Sequence, residues 1–185
     1  MSSLIRLCLL AGMLVCGSAA AEVTNAGPGG FTTVNTLSVS ADRAAVWAAA
    51  VNDVGQWWHP DHTISGNAAS MSIDPRPMGC FCEMFDDDAA GVVHLSVTMV
   101  NPRVVLRMTG GLGPLGLMGV NGNMTWEFED AADGGTVVRF TYAVGGYMDG
   151  GLDAIAGPVD FVLGEALQRL QSFVETGNPE RPPLE

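Results

Sequence analysis

All three histidines of this 185-residue chain, His59, His62 and His94, fall between positions 59 and 94, and so do two of its four cysteines, Cys80 and Cys82. His59-x-x-His62 and Cys80-x-Cys82 together offer four donors of the kind that close a tetrahedral zinc shell, although the spacing departs from standard zinc signatures. On an extended strand, Cys80 and Cys82 point to one side about 6–7 Å apart. A metal ion spans that gap, and a regular disulfide does not. Three readings stay open: metal ligation, two free thiols, or a disulfide in a locally bent strand. Glu83 shares a strand face with Phe81 and Phe85, opposite the cysteines. If that face turns inward, burial raises the carboxyl pKa and creates a general acid or base, with His94 or Tyr142 as its partner group. If it turns outward, Glu83 is a solvated residue; a buried Glu83 can also pair with Arg107. Arg107 itself alternates away from Leu106 and Met108, which places it outside.

A second set of residues suits binding rather than reaction. Trp57, Trp58, Met108, Leu115, Met118, Trp126, Tyr142 and Phe161 could line an apolar cavity, since aromatic rings make rigid walls and methionine adapts to irregular shapes. Ordinary core packing is the alternative for each of them. The loop over residues 110–119 contains Gly111-x-Gly113-x-x-Gly116, a formal dinucleotide fingerprint. Pro114 and Gly119 leave no room for the helix whose N-terminus would hold a pyrophosphate, so the loop reads instead as an apolar flap or cover carrying Leu112, Leu115, Leu117 and Met118. No cofactor is expected. A Ser-His-Asp arrangement is not suggested, because no Gly-x-Ser-x-Gly elbow is present.

Composition narrows the partners. Residues 1–21 read as a signal peptide, with Arg6 before an apolar core over residues 7–15 and Ala19-Ala20-Ala21 as the cleavage site. The core is too short to span a bilayer, so the expected product is a periplasmic or secreted bacterial protein with no membrane insertion. Its removal takes the formal net charge from −12 to −13. Such an acidic chain repels nucleic acid. Lysine is absent, which excludes Schiff-base chemistry and a P-loop. Residues 22–30 read as a linker and 177–185 as a disordered tail, both rich in Gly and Pro. Protein partners are not specified by the sequence.

The elements that must position these side chains follow from periodicity. Residues 31–40 read as a strand, and Ser40 caps a helix over 41–51. A short turn follows over 53–58, ended by Pro60. Six further strands run to residue 145, with turns at Pro75-Arg76-Pro77, Asp86-Asp87-Asp88, Asn101-Pro102 and Asp133-Gly134-Gly135. Alternation places Val93, Leu95, Val97 and Met99 on one face, as it does Met124, Trp126 and Phe128 and then Val138, Phe140, Tyr142 and Val144. Residues 151–176 carry an apolar stripe through Leu152, Ile155, Val159, Leu163, Leu167, Leu170 and Val174, the pattern of a long amphipathic helix. Asp160, Glu165 and Arg169 fall on its wet side. Pro158 predicts a break, with the continuous helix starting there, and Gly177 closes it.

In this order the chain resembles the START-like (SRPBCC, birch-pollen-allergen-like) superfamily, and more narrowly its polyketide cyclase or heat-shock ATPase activator-like branch. The resemblance rests on Ala44-Ala45-Val46-Trp47, Trp57-Trp58-His59-Pro60, the strand over residues 79–83, Met124-Thr125-Trp126-Glu127-Phe128 and the terminal helix. It covers residues 31–176 and implies a ligand-binding domain of the α+β helix-grip class: a curved seven-stranded antiparallel sheet around the long C-terminal helix. It further implies an internal pocket for a lipid- or polyketide-like molecule. The fold hosts binders, carriers and enzymes alike. The leading expectation is therefore an exported, non-catalytic protein that holds a small apolar molecule between sheet and helix. The alternatives are a cyclase or isomerase using Glu83, and a metal-dependent or structural role for the His and Cys cluster.

Overall fold

The computed structural model describes residues 20–85 and 90–180. Most of the expected signal peptide, the acidic turn at Asp86-Asp87-Asp88 and the last five residues lie outside the described residues. Eight strands form one antiparallel sheet in the order β1-β2-β8-β7-β6-β5-β4-β3. They are β1 (Ala20–Gly27), β2 (Gly30–Val39), β3 (Met71–Ile73), β4 (Cys80–Phe85), β5 (Ala90–Asn101), β6 (Val105–Gly110), β7 (Gly119–Asp130) and β8 (Thr136–Tyr147). Helices α1 (Arg43–Asn52) and α2 (Val54–Trp57) follow β2, and α3 (Asp153–Thr176) ends the fold. Among the described residues no helix is long and apolar enough to cross a membrane.

The eighth strand lies where a linker was expected. Residues 22–24 pair with Val34, Thr33 and Thr32 of β2, and the chain turns back at Gly27 and Gly30. Gly-rich composition marked that turn, but the β-branched Val23 and Thr24 on its approach are strand formers. Asp42 rather than Ser40 caps α1, its Oδ1 accepting the Ala44 and Ala45 N–H groups at 2.9 and 3.0 Å. α3 runs unbroken through Pro158. The proline deprives only the Ala154 carbonyl of a partner, and Ala154 is exposed, so water can replace the lost bond. Gly177 ends the helix as expected, at φ 77° with its N–H on the Phe173 carbonyl.

α3 packs against β1 and β2 and against α1 and α2. Leu163, Leu167 and Leu170 turn into a core shared with Leu106, Met108, Met124, Trp126, Phe128, Phe140 and Tyr142 from the sheet. Trp126 stacks on Phe140 with ring centroids 4.4 Å apart, and it meets Trp57 and Phe81 at 6.1 Å each. Aromatic rings therefore fill the space between sheet and helix. Arg169, expected on the wet side of α3, is buried; its Nε donates to the Trp57 carbonyl at 2.8 Å and its Nη1 to Glu180 at 2.7 Å. Ser172 Oγ also donates to the Asn178 carbonyl at 2.8 Å, so residues 177–180 fold back on the helix rather than trailing away.

Two register shifts in β5 reorient its side chains. Phe81 pairs with Leu95 and Cys82 with Val93, so His94 is an extra residue. Val97 pairs with Met108 and Met99 with Arg107, so Thr98 is a second. Each extra residue breaks the period-two alternation. Leu95 and Val97 are buried as expected, but Val93 and Met99 are exposed and His94 turns inward.

Candidate functional site

An apolar pocket of about 300 Å³ opens at one end of the core. Three segments enclose it: residues 58–64, the Gly-rich flap over residues 112–118, and the first turns of α3 through Ile155, Pro158, Val159, Val162 and Leu163. Among the described residues, none from a strand lines it. The pocket is thus a space beyond the end of the packed sheet–helix interior rather than a gap within it.

Both loops are held by buried polar side chains. Glu83 and His94 are 0 % and 1 % exposed at their side chains, and Glu83 Oε2 lies 3.0 Å from His94 Nε2. Glu83 also accepts the Ile64 N–H at 2.9 Å and the Ser65 N–H at 2.6 Å, which fixes the first loop. On the other side of the imidazole, Nδ1 accepts the Gly113 N–H at 3.2 Å, which fixes the flap. A backbone N–H can only donate, so Nδ1 is the unprotonated nitrogen and Nε2–H donates to Glu83. The sequence thereby clasps two pocket loops through one carboxylate and one neutral imidazole. Tyr142 adds a second tie to the flap: its hydroxyl donates to the Gly110 carbonyl at 2.8 Å and accepts the Leu112 N–H at 3.1 Å. Gly122 makes room for that ring, since a Cβ there would collide with it. Gly113 sits at φ +56°, a left-handed conformation that glycine adopts without strain.

The electrostatics differ from the expectation for Glu83. Burial alone pushes its pKa up, but the hydrogen bonds from Ser65, Ile64 and His94 outweigh it and hold the carboxyl below the ordinary glutamate value. Glu83 is a saturated carboxylate, not a protonated acid. For Tyr142, burial pushes the phenol up and the Leu112 N–H only partly offsets it.

No family model matches the chain, and no curated protein matches it. Solved structures do. EF2215, a conserved protein of unknown function from Enterococcus faecalis, aligns with TM-score 0.58 at 12% identity over 90% of this chain and 82% of its own. CalU16 from Micromonospora echinospora, a polyketide cyclase-like SRPBCC protein, aligns with TM-score 0.52 at 15% identity over 91% and 88%. Ara h 8.0201, which is Bet v 1-like, aligns with TM-score 0.55 at 16% identity over 80% and 99%. This is the helix-grip fold. It has eight strands here rather than the expected seven, β1 being the addition.

Within the helix-grip frame the expected wall residues separate into three groups. Trp58, Leu115 and Met118 line the pocket. Trp57, Met108, Trp126 and Tyr142 are buried in the core and do not reach it. Phe161 is 68% exposed, on the side of α3 away from the stripe through Val159 and Leu163. Sequence reasoning missed Ile64, Ile155, Val159 and Val162 as lining residues. For Ile155, Val159 and Val162 the signal was present in the apolar positions at the start of α3, which precede the part of the stripe that packs on the sheet; Ile64 carried none.

Cys80 and Cys82 form a disulfide with Cα atoms 5.4 Å apart. That is closer than the about 6–7 Å of a regular extended strand, so β4 is locally contracted at the bridge. The bridge removes both sulfurs from the four-donor metal set considered from sequence. Arg107 is exposed as expected, its Nε 3.4 Å from Thr125 Oγ1. His59 and His62 remain together, with ring centroids 5.2 Å apart.

Proposed function

We propose that this is an exported protein that binds a small apolar molecule without covalent chemistry. The observation that carries the proposal is the pocket of about 300 Å³ lined by Trp58, Leu112, Leu115, Met118, Val159 and Val162. Pockets of this size lie at the lower end of the small-molecule range. Apolar walls of this kind gain about 25 cal/mol per Å² of surface they remove from water. The Glu83–His94 clasp and Tyr142 preorganise the loops, which lowers the entropy lost on binding. The cyclase or isomerase alternative has no such support, since Glu83 lies outside the pocket lining and spends both its oxygens on Ile64, Ser65 and His94.

The test is native mass spectrometry of the protein isolated from its producing cells, compared with its denatured mass. The proposal expects one added small molecule that is lost on denaturation and taken up again by the stripped protein. Protein that carries no added mass and takes up no compact apolar compound would refute it.

A further inference from the structure

At the rim of the pocket the fold assembles three metal-ligating side chains from distant parts of the chain. His59 caps and His62 ends the 3-10 turn Pro60–His62, and Glu165 projects from α3 one helical turn before Arg169. His62 Nε2 lies 2.9 Å from Glu165 Oε2. One ligand atom from each of His59, His62 and Glu165 falls within 4.8 Å of the other two. The side chains are partly accessible, at 25%, 27% and 31% exposed for His59, His62 and Glu165. An ion can therefore enter from solvent.

We propose that His59, His62 and Glu165 bind a divalent transition-metal ion, with zinc the natural fit. Two imidazoles and one carboxylate suit zinc better than the all-oxygen cages that calcium and magnesium prefer. Tetrahedral ligands about 2.0–2.2 Å from zinc stand some 3.3–3.6 Å apart, so closing the triangle takes shifts of about 1 Å in exposed side chains. Three protein donors leave zinc a fourth position for water or another ligand. Ordering of the turn favours the site. Trp58 Nε1 donates to the His62 carbonyl at 3.0 Å, and Thr63 Oγ1 to the Pro60 carbonyl at 2.7 Å, so the two imidazoles hang from a braced backbone. α3 is braced in turn by Arg169 on the Trp57 carbonyl.

His59 must change its proton arrangement to serve. In the metal-free geometry Nδ1 accepts the Asp61 N–H at 3.1 Å. Ligation through Nε2 moves the ring proton to Nδ1 and gives up the Asp61 N–H bond, and the Asp61 carboxylate, 4.0 Å away, must move closer to accept that proton. A carboxylate behind a ligating histidine fixes the ring and strengthens the donor. Asp61 is thus a positioning residue for the site. The acidic chain, at formal net charge −12 with lysine absent, concentrates cations around it.

The experiment uses the untagged, chelator-stripped full chain and zinc ion alone, followed by calorimetric titration, with magnesium as control. One equivalent of zinc is expected, with magnesium silent. His59→Ala and Glu165→Gln should each weaken zinc binding by more than about tenfold, and Asp61→Asn by on the order of tenfold. Cobalt substituted for zinc should give the intense visible absorption of a tetrahedral site, a signal that a purely structural ion pair would not produce. Far-ultraviolet circular dichroism matching the parent confirms that each variant is folded. Absence of saturable one-to-one zinc binding, or binding that survives Glu165→Gln and His59→Ala unweakened, would overturn the proposal.

Discussion

Replacing Glu83 by glutamine changes one oxygen to NH₂ and leaves the shape almost unaltered, yet the surroundings of this side chain make the change costly. The carboxylate accepts from three donors, Ile64 N, Ser65 N and His94 Nε2. The His94 ring cannot reverse its role, because its Nδ1 is committed to the Gly113 N–H. With the amide oxygen at the Oε2 position, the NH₂ faces the Ser65 N–H, donor against donor. In the other orientation it faces two donors, so the first is preferred. One charge-assisted bond is lost and two become neutral ones, which together cost about 2–4 kcal/mol, given ~1.5–3 kcal/mol for a hydrogen bond to a charged group. For a chain of this size that lowers Tm by about 4–16 °C. Urea denaturation of the parent and Glu83→Gln proteins at pH 7 measures the difference. The sign of its pH dependence follows from the depressed carboxyl. The parent's advantage is present above the unfolded glutamate value, ~4.3, and is lost as pH falls from there through the lower folded value. A glutamine variant within about 0.5 kcal/mol of the parent at pH 7 would refute the clasp.

Tyr142→Phe deletes the hydroxyl that ties Gly110 and Leu112, so stability should fall by about 1–3 kcal/mol in urea denaturation. The flap amides over residues 110–118 should also exchange with deuterium faster than in the parent. Because burial holds the Tyr142 phenol protonated in the fold, the parent should lose part of its stability as pH rises above ~10, whereas the phenylalanine variant should lose less. For the pocket, Val162→Trp should fill the space and abolish uptake of a compact apolar compound in fluorescence titration. Phe161→Ala, at a side chain 68% exposed on the same helix, should leave that uptake unchanged.

Much of the fold was legible because it rests on periodicity. The stripe Leu163, Leu167 and Leu170 and the alternating Met124, Trp126 and Phe128 each announce one buried face, and both faces are buried as read. The bulges in β5 were not legible, because an extra residue leaves no compositional mark. His94 was named from sequence as a partner for an inward Glu83, and the two do pair, but alternation from Leu95 gave no sign of the bulge that turns it inward. Long-range partners were hidden for a related reason. His59-x-x-His62 is visible as a pair, but Glu165 joins it across 103 positions only once α3 lies over the loop. Glu83 was singled out for its type and its apolar neighbours. What the sequence could not supply was the direction of its pKa, in which burial is outweighed by the Ser65 side chain, the Ile64 and Ser65 backbone N–H groups brought in by another loop, and His94.

The most direct measurement of the central claim is a methyl-resolved NMR titration of the protein with a small uncharged bicyclic hydrocarbon. A ligand in the pocket should give saturable shifts concentrated on Leu115, Met118, Ile155, Val159 and Val162, with Leu106, Met108 and Met124 in the filled interior little changed. Absence of saturable shifts at those pocket methyls, or a response centred on the interior methyls instead, would contradict it.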